Sequence, residues 1–100
     1  MNTISISVKN NEIFITGDLT QDTVMSALAQ SIKLLASDSQ YQVNLSAVGR
    51  CDSASLAFLT ALLRDSKSKR TQLQFNHLPM QMLQIGKVSG LNDILPIAES

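Results

Sequence analysis

The sequence is poor in the residues that carry most side-chain chemistry. Among 100 residues there is one cysteine, one histidine and no tryptophan. Cys51 has no second cysteine with which to form an internal disulfide, which agrees with a reducing compartment. One His and one Cys cannot supply the tetrahedral ligand set of a structural zinc site. Net charge is absent too: eight basic and eight acidic residues cancel. Without a basic excess, nucleic acid is excluded as the main ligand. Long apolar runs are missing, since even SALAQSIKLLA is interrupted by Gln30, Ser31 and Lys33, so no bilayer span is expected. The opening MNTISISVKNNEIF has no basic segment followed by an apolar core, and no signal peptide is read there. The four glycines build neither a P-loop nor a dinucleotide fingerprint. These absences predict a cytoplasmic domain with no cofactor, no metal and no catalytic residue.

What is present is a well-patterned globular chain. Hydrophobic residues make up 44% and charged residues 16%, a balance that supports one modest core and hence a single domain over residues 1–100. Ile4, Ile6 and Val8 alternate with Ser5 and Ser7, the period of a half-buried strand. Asn10 and Asn11 tolerate positive φ and turn the chain into a second strand around Ile13-Phe14-Ile15, which Gly17-Asp18 is expected to end. Thr20 is read as the N-cap of a first helix over about 21–36, with Asp22 in its first turn and Val24, Met25, Leu28, Ile32 and Leu35 on its apolar stripe. Tyr41 to Leu45 reads as a third strand, and Ser53 to about Lys67 as a second helix. Leu73, Phe75 and His77 outline a fourth strand. Pro79 fits the first turn of a third helix that Gly90 terminates, and Leu91 to Ile97 forms a short closing segment. The expected fold class is therefore α/β: a small mixed β-sheet with helices packed on it, in the order β-β-α-β-α-β-α.

The most informative stretch is NLSAVGRCDSASLAFLTALLR, residues 44–64, which begins as a strand and ends as an amphipathic helix. At about 100° per residue, Leu56, Phe58, Leu59, Leu62 and Leu63 take one half of the helix and must face the core. Ser53, Ala57, Thr60 and Arg64 fall within roughly 60° of one another on the other side. This outer stripe is low in profile, so another backbone can approach it closely. At its start, Asp52 and Ser53 are preferred N-cap types, and capping alone would account for both. A phosphorylated switch at Ser53 or Ser55 and a docking surface are the competing readings.

Other constellations are weaker. Cys51 and His77 form the one nucleophile–base pair worth testing, because a thiol near a helix N-terminus can ionise more easily. Against this, a buried Cys is usually inert and His77 beside Leu78-Pro79 has the look of a turn residue. Arg64, Lys67, Lys69 and Arg70 sit at the end of the second helix, where cations complement the dipole and could also meet an acidic partner or lipid headgroups. Met80 and Met82 are either core fillers or an adaptable surface.

DSASLAFLTALLR resembles the strand-to-helix signature of STAS domains, the fold of anti-sigma factor antagonists and of the cytoplasmic tails of sulfate transporters. ITGDLTQD is similar to the end of their second strand, and SGLNDILP resembles their C-terminal segment. In the antagonists the signature runs Asp-Ser-Ser-Gly-Leu, and its second hydroxyl is phosphorylated by a partner kinase. Here that position is Ala54, and the usual glycine is Ser55. The MlaB-type branch, small STAS subunits of Mla phospholipid-transport ABC complexes, has a stretch resembling Asp-Thr-Gly-Gly-Leu, which Asp52-Ser53 matches. This resemblance implies a non-enzymatic subunit that docks on an ABC-transporter ATPase, supports its assembly and activity in outer-membrane lipid asymmetry, and is held at the inner membrane by that complex. Asp52, Ser53, Ala57, Thr60 and Arg64 would form its partner-binding surface. The resemblance also carries an alternative, an anti-sigma factor antagonist controlled by serine phosphorylation.

Overall fold

A computed structural model describes residues 4–98. The chain order is β1 (Ile4–Lys9), β2 (Glu12–Leu19), α1 (Val24–Leu34), β3 (Gln40–Cys51), α2 (Ser53–Ser68), β4 (Gln72–Asn76), α3 (Met80–Ser89) and a short 3₁₀ turn, Leu91–Asp93. This is the expected α/β order. The four strands lie side by side in sequence order. β1 and β2 are antiparallel, joined through Asn10 and Asn11 at φ 52° and 62°, the left-handed pair that a tight hairpin requires. β2, β3 and β4 run parallel, with α1 and α2 as the crossovers.

One face of the sheet is buried. Ile13, Ile15, Val43, Leu45 and Phe75 are fully buried from the strands, and Leu59, Leu62 and Met82 from the helices. The other face is polar. The β3–β4 register sets Gln40 beside Gln72, Gln42 beside Gln74 and Asn44 beside Asn76, and Asn76 donates to the Gln42 side chain at 2.6 Å. Such one-sided burial produces the alternation seen along these strands.

The strands run longer than their composition suggests. β2 continues through Gly17-Asp18 to Leu19, and β3 continues through Ser46 to Cys51. The pairing survives because its register shifts between Phe14 and Thr16 and again between Gly17 and Leu19. Each shift is a bulge that accommodates an extra β3 residue and bends the pair. Gly17-Asp18, expected to break the strand, instead lies inside it.

α1 starts later than expected. Residues 20–23 form a turn, and the helical span opens at Val24 with Thr23, not Thr20, at its N-cap. Met25, expected to flank the apolar stripe, is 78% exposed, while Ala27 and Ser31 are fully buried. β4 stops at Asn76, and His77 turns away at φ 57°. Pro79 is the N-cap of α3 rather than a residue of its first turn, whereas Gly90 ends that helix at φ 79° as expected.

Gly86 of α3 explains how the last segment returns to the body. Asn92 donates its side-chain amide to Leu83 O at 2.8 Å, and a Cβ at Gly86 would collide with that amide. Gly86→Ala should therefore destabilise the domain by about 1–3 kcal/mol, the usual range for overpacking. Because the clash is with one side chain, Gly86→Ala and Asn92→Ala should be non-additive. Urea denaturation of the two single variants and the double variant measures this, and additive losses would refute the contact.

Candidate functional site

The parallel ends of β2 and β3 meet at Leu19 and Cys51, which pair directly. This brings the turn after β2 beside the junction between β3 and α2. Two carboxylates cross between them. Asp18, on β2, accepts a hydrogen bond at 2.8 Å from the Arg50 N–H on β3. Asp52, after β3, accepts one at 3.1 Å from the Gln21 N–H in the turn after β2. Each loop thus holds the other's backbone, and the partners are separated by about thirty residues in sequence.

Gly49 makes the first of these contacts possible. A Cβ there would lie 2.6 Å from the Asp18 carboxylate oxygen, so any larger residue would push the carboxylate off the strand. Thr23 secures the same corner from the other side. Its buried hydroxyl donates to Asp18 O at 2.8 Å and accepts from Thr20 N–H at 3.0 Å. Neither Asp18 nor Thr23 was legible as a site residue, because their partners are fixed by the strand register and not by local spacing.

Asp52 is also the N-cap of α2, its second oxygen accepting from Ala54 N–H at 2.9 Å. Both readings of the junction, cap and exposed feature, are therefore present but on different residues. Asp52 is half-buried and occupied on both oxygens, while Ser53 is exposed at the first position of the helix. Ser55 is fully buried, and its hydroxyl donates to Asp52 O at 2.7 Å.

The stripe expected along α2 is found there. Ala57 and Arg64 are exposed and Thr60 is half-buried, its hydroxyl turned back on Leu56 O at 2.9 Å. The opposite side packs into the core through Leu56, Phe58, Leu59 and Leu62. Ser53, Ala57, Thr60 and Arg64 therefore share one low-profile face that starts beside the Gln21 turn.

The structure does not bring the cysteine and the histidine together as a nucleophile–base pair. Cys51 is buried, and desolvation, helped by the neighbouring Asp52 charge, pushes its thiol pKa up. His77 is exposed in the turn after β4, and no hydrogen bond joins the two. Among the described residues no group of His, Cys, Asp and Glu could hold a metal ion. No helix among them is long and apolar enough to cross a membrane.

A family model described as "Mlab, STAS domain" matches residues 3–96. The chain belongs to the STAS-domain family. STAS domains are regulatory interaction modules rather than catalysts, and this chain is one of them. No curated protein matches it. Among solved structures, it is similar to an anti-sigma factor antagonist from Mycobacterium paratuberculosis, with TM-score 0.74 and 20% identity over 100% of this chain and 87% of that one. An anti-sigma factor antagonist STAS domain protein from Planctomyces limnophilus gives TM-score 0.73 at 11% identity, covering 97% of this chain and 90% of the other. The Bacillus cell fate determinant SpoIIAA in its phosphorylated form gives TM-score 0.62 at 14% identity, over 98% and 93% of the two chains. At these identities the likeness establishes the STAS fold.

These comparisons correct one expectation. The resemblance of Asp52-Ser53 to a transporter subunit implied an ABC-transporter ATPase as partner, with a role in phospholipid transport. The solved structures compared here are described as anti-sigma factor antagonists and none as a transporter subunit, which overturns that partner and that role. The implied partner and role were drawn from two residues, Asp52-Ser53, on a STAS fold that serves more than one kind of partner.

The geometry makes Asp52 a structural clasp. Asp52→Ala removes both the α2 cap and the bond to Gln21, and should cost about 1–2 kcal/mol of stability. Asp52→Asn keeps an acceptor oxygen for the cap and should cost less. Chemical denaturation of the two variants tests the ordering, and an equal or smaller loss for the alanine would refute it.

Proposed function

We propose that this STAS domain acts as an anti-sigma factor antagonist, binding a protein partner of the anti-sigma factor class through the β3–α2 junction and the exposed face of α2. The observation that carries this reading is the division of labour at the junction. Asp52 is committed to the fold by its two hydrogen bonds, and this leaves Ser53 exposed at the head of a stripe of small residues. The descriptions of the solved relatives support the partner class.

In this reading Ala57 and Thr60 give the partner a close approach with little side-chain entropy to lose, whereas long charged residues would lose about 0.5–1.5 kcal/mol each. Arg64 closes the far end of the stripe and offers its guanidinium to a partner carboxylate. Asp52 lies at the near end and shapes the surface through the Gln21 turn.

Ser53 takes the place of the regulated hydroxyl. The second position of the antagonist signature is Ala54, which has no hydroxyl, and Ser55 is buried with its hydroxyl engaged. A phosphate on Ser53 would add about −1.5 to −2 charges. The N-terminus of α2 favours an anion, so the fold tolerates it. A partner packed against the stripe would meet both the bulk and the charge, and Asp52 beside it adds to the repulsion.

Two variants test the proposal against the purified cognate anti-sigma factor. Ser53→Ala should fold and bind within a few-fold of the parent, with a stability loss of no more than about 1 kcal/mol. Ser53→Arg should fold yet weaken binding at least tenfold. Equal binding by Ser53→Arg in a calorimetric titration would place the partner elsewhere on the domain.

A further inference from the structure

The two edges of the sheet are protected differently. At β4 the closing segment lies alongside the strand, with Ile97 bridged to Phe75. The Phe75 N–H donates to Pro96 O at 2.9 Å, and its carbonyl accepts from Ala98 N–H at 2.7 Å. β1 is the other edge, and it pairs with β2 alone. Ser5, Ser7, Val8 and Lys9 are exposed along it. Among the described residues no backbone bond reaches β1 from any other element.

The hairpin fixes which backbone groups face outward. Asn10 and Asn11 form a two-residue turn, so its closing pair, Lys9 and Glu12, exchanges hydrogen bonds. From there to Ile4 beside Gly17 the register runs without a shift. Bonded and non-bonded pairs alternate along such a ladder. Ser7 and Ser5 therefore bond to β2, while Val8, Ile6 and Ile4 turn their N–H and C=O groups away from it. An open row of this kind is a template for another strand, and proteins guard it with a charge, a proline or a bulge. The span from Ile4 to Val8 has none of these, and Lys9 stands beyond it.

The side chains of this edge are also incompletely covered. Ile6 lies opposite Ile15 and Val8 opposite Ile13, and both of these β2 partners are fully buried. The row Ile4, Ile6, Val8 thus belongs to the core face. Its cover fails along the strand: Ile4 is 9% exposed, Ile6 half-buried and Val8 40% exposed. An antiparallel copy of the same strand would set the covered end of one against the bare end of the other.

We propose that two copies of this chain pair through β1, antiparallel, about a two-fold axis at Ile6, joining their sheets into one. In this register Ile6 faces Ile6 of the other copy, and Ile4 faces its Val8. It is the register in which the outward groups of Ile4, Ile6 and Val8 all find main-chain partners. On the core face each Val8 packs beside the other copy's Ile4, and on the polar face Ser5 lies opposite Ser7. The two Lys9 side chains fall at opposite ends and do not repel across the contact. A two-fold contact closes on itself, so the assembly stops at two copies. The edge contains no residue of the Ser53 junction, and the pairing does not depend on the antagonist reading.

Sedimentation equilibrium of the full chain across a wide concentration range reads the pairing. The parent should pass from monomer to dimer as concentration rises, and go no further. Val8→Pro deletes an outward N–H and no bond to β2, and should weaken dimerisation at least tenfold. Val8→Lys, which puts a charge on the exposed edge and leaves the backbone intact, should do the same. Should the proline variant lose the parent's circular dichroism, the lysine variant decides. Mild oxidation reads the register. Ser5→Cys mixed with Ser7→Cys should give a disulfide-linked heterodimer, because these positions form a non-bonded pair about 4.5 Å apart at Cα. Each variant alone should cross-link more slowly, and Cys51 is buried away from the edge. A parent that stays monomeric at every concentration overturns the proposal. So does a dimer that the folded Val8 variants leave unchanged, or cross-linking no faster in the mixture than in either variant alone.

Discussion

Two parallel strands, β2 and β3, end side by side at Leu19 and Cys51, and the organisation of the site depends on that coincidence. Parallel strands send their chains out at the same end of the sheet, so the turn before α1 and the junction before α2 leave together. Both exits lie at the surface, with Gln21 and Arg50 exposed. Here each is served by the other's carboxylate: Asp18 takes Arg50 N–H and Asp52 takes Gln21 N–H. The two bonds tie each loop to the other's backbone. The consequence is a fixed direction for α2, with Ser53 outward and Leu56 inward.

The same helix serves two ends. Its N-terminal half presents small residues beside the Gln21 turn, and Leu63 and Lys67 in its C-terminal half line a cavity shared with the Asn10-Asn11 turn and the start of β3. The buried side is continuous between them, through Leu56, Leu59 and Leu62.

Periodicity made most of the fold legible before the structure was known. The Asn10-Asn11 hairpin, the inward leucines of α2 and the Gly90 stop all follow from local chemistry, and all are found. The strand lengths were not legible, because Gly17-Asp18 and Gly49-Arg50 carry the composition of breaks. In the sheet they sit at bulges and at a carboxylate crossing, which are tertiary features. The N-cap of α1 was misplaced for a related reason. Thr20 has the right side chain, but Thr23 is the threonine bonded to both the strand end and the turn. At the junction, residue types pointed to Asp52 and Ser53 and could not divide the cap from the exposed position. That division rests on Gln21, whose contact with Asp52 is set by the register of the sheet.

The central claim is that the junction and the outer face of α2 receive a protein of the anti-sigma factor class. Hydrogen–deuterium exchange of the domain, alone and with its cognate anti-sigma factor, maps that contact without altering a residue. Added protection is expected at residues 20–22 and 53–60, with the β1–β2 hairpin unchanged. Protection confined to the hairpin or the polar sheet face, with residues 53–60 unaffected, would contradict it.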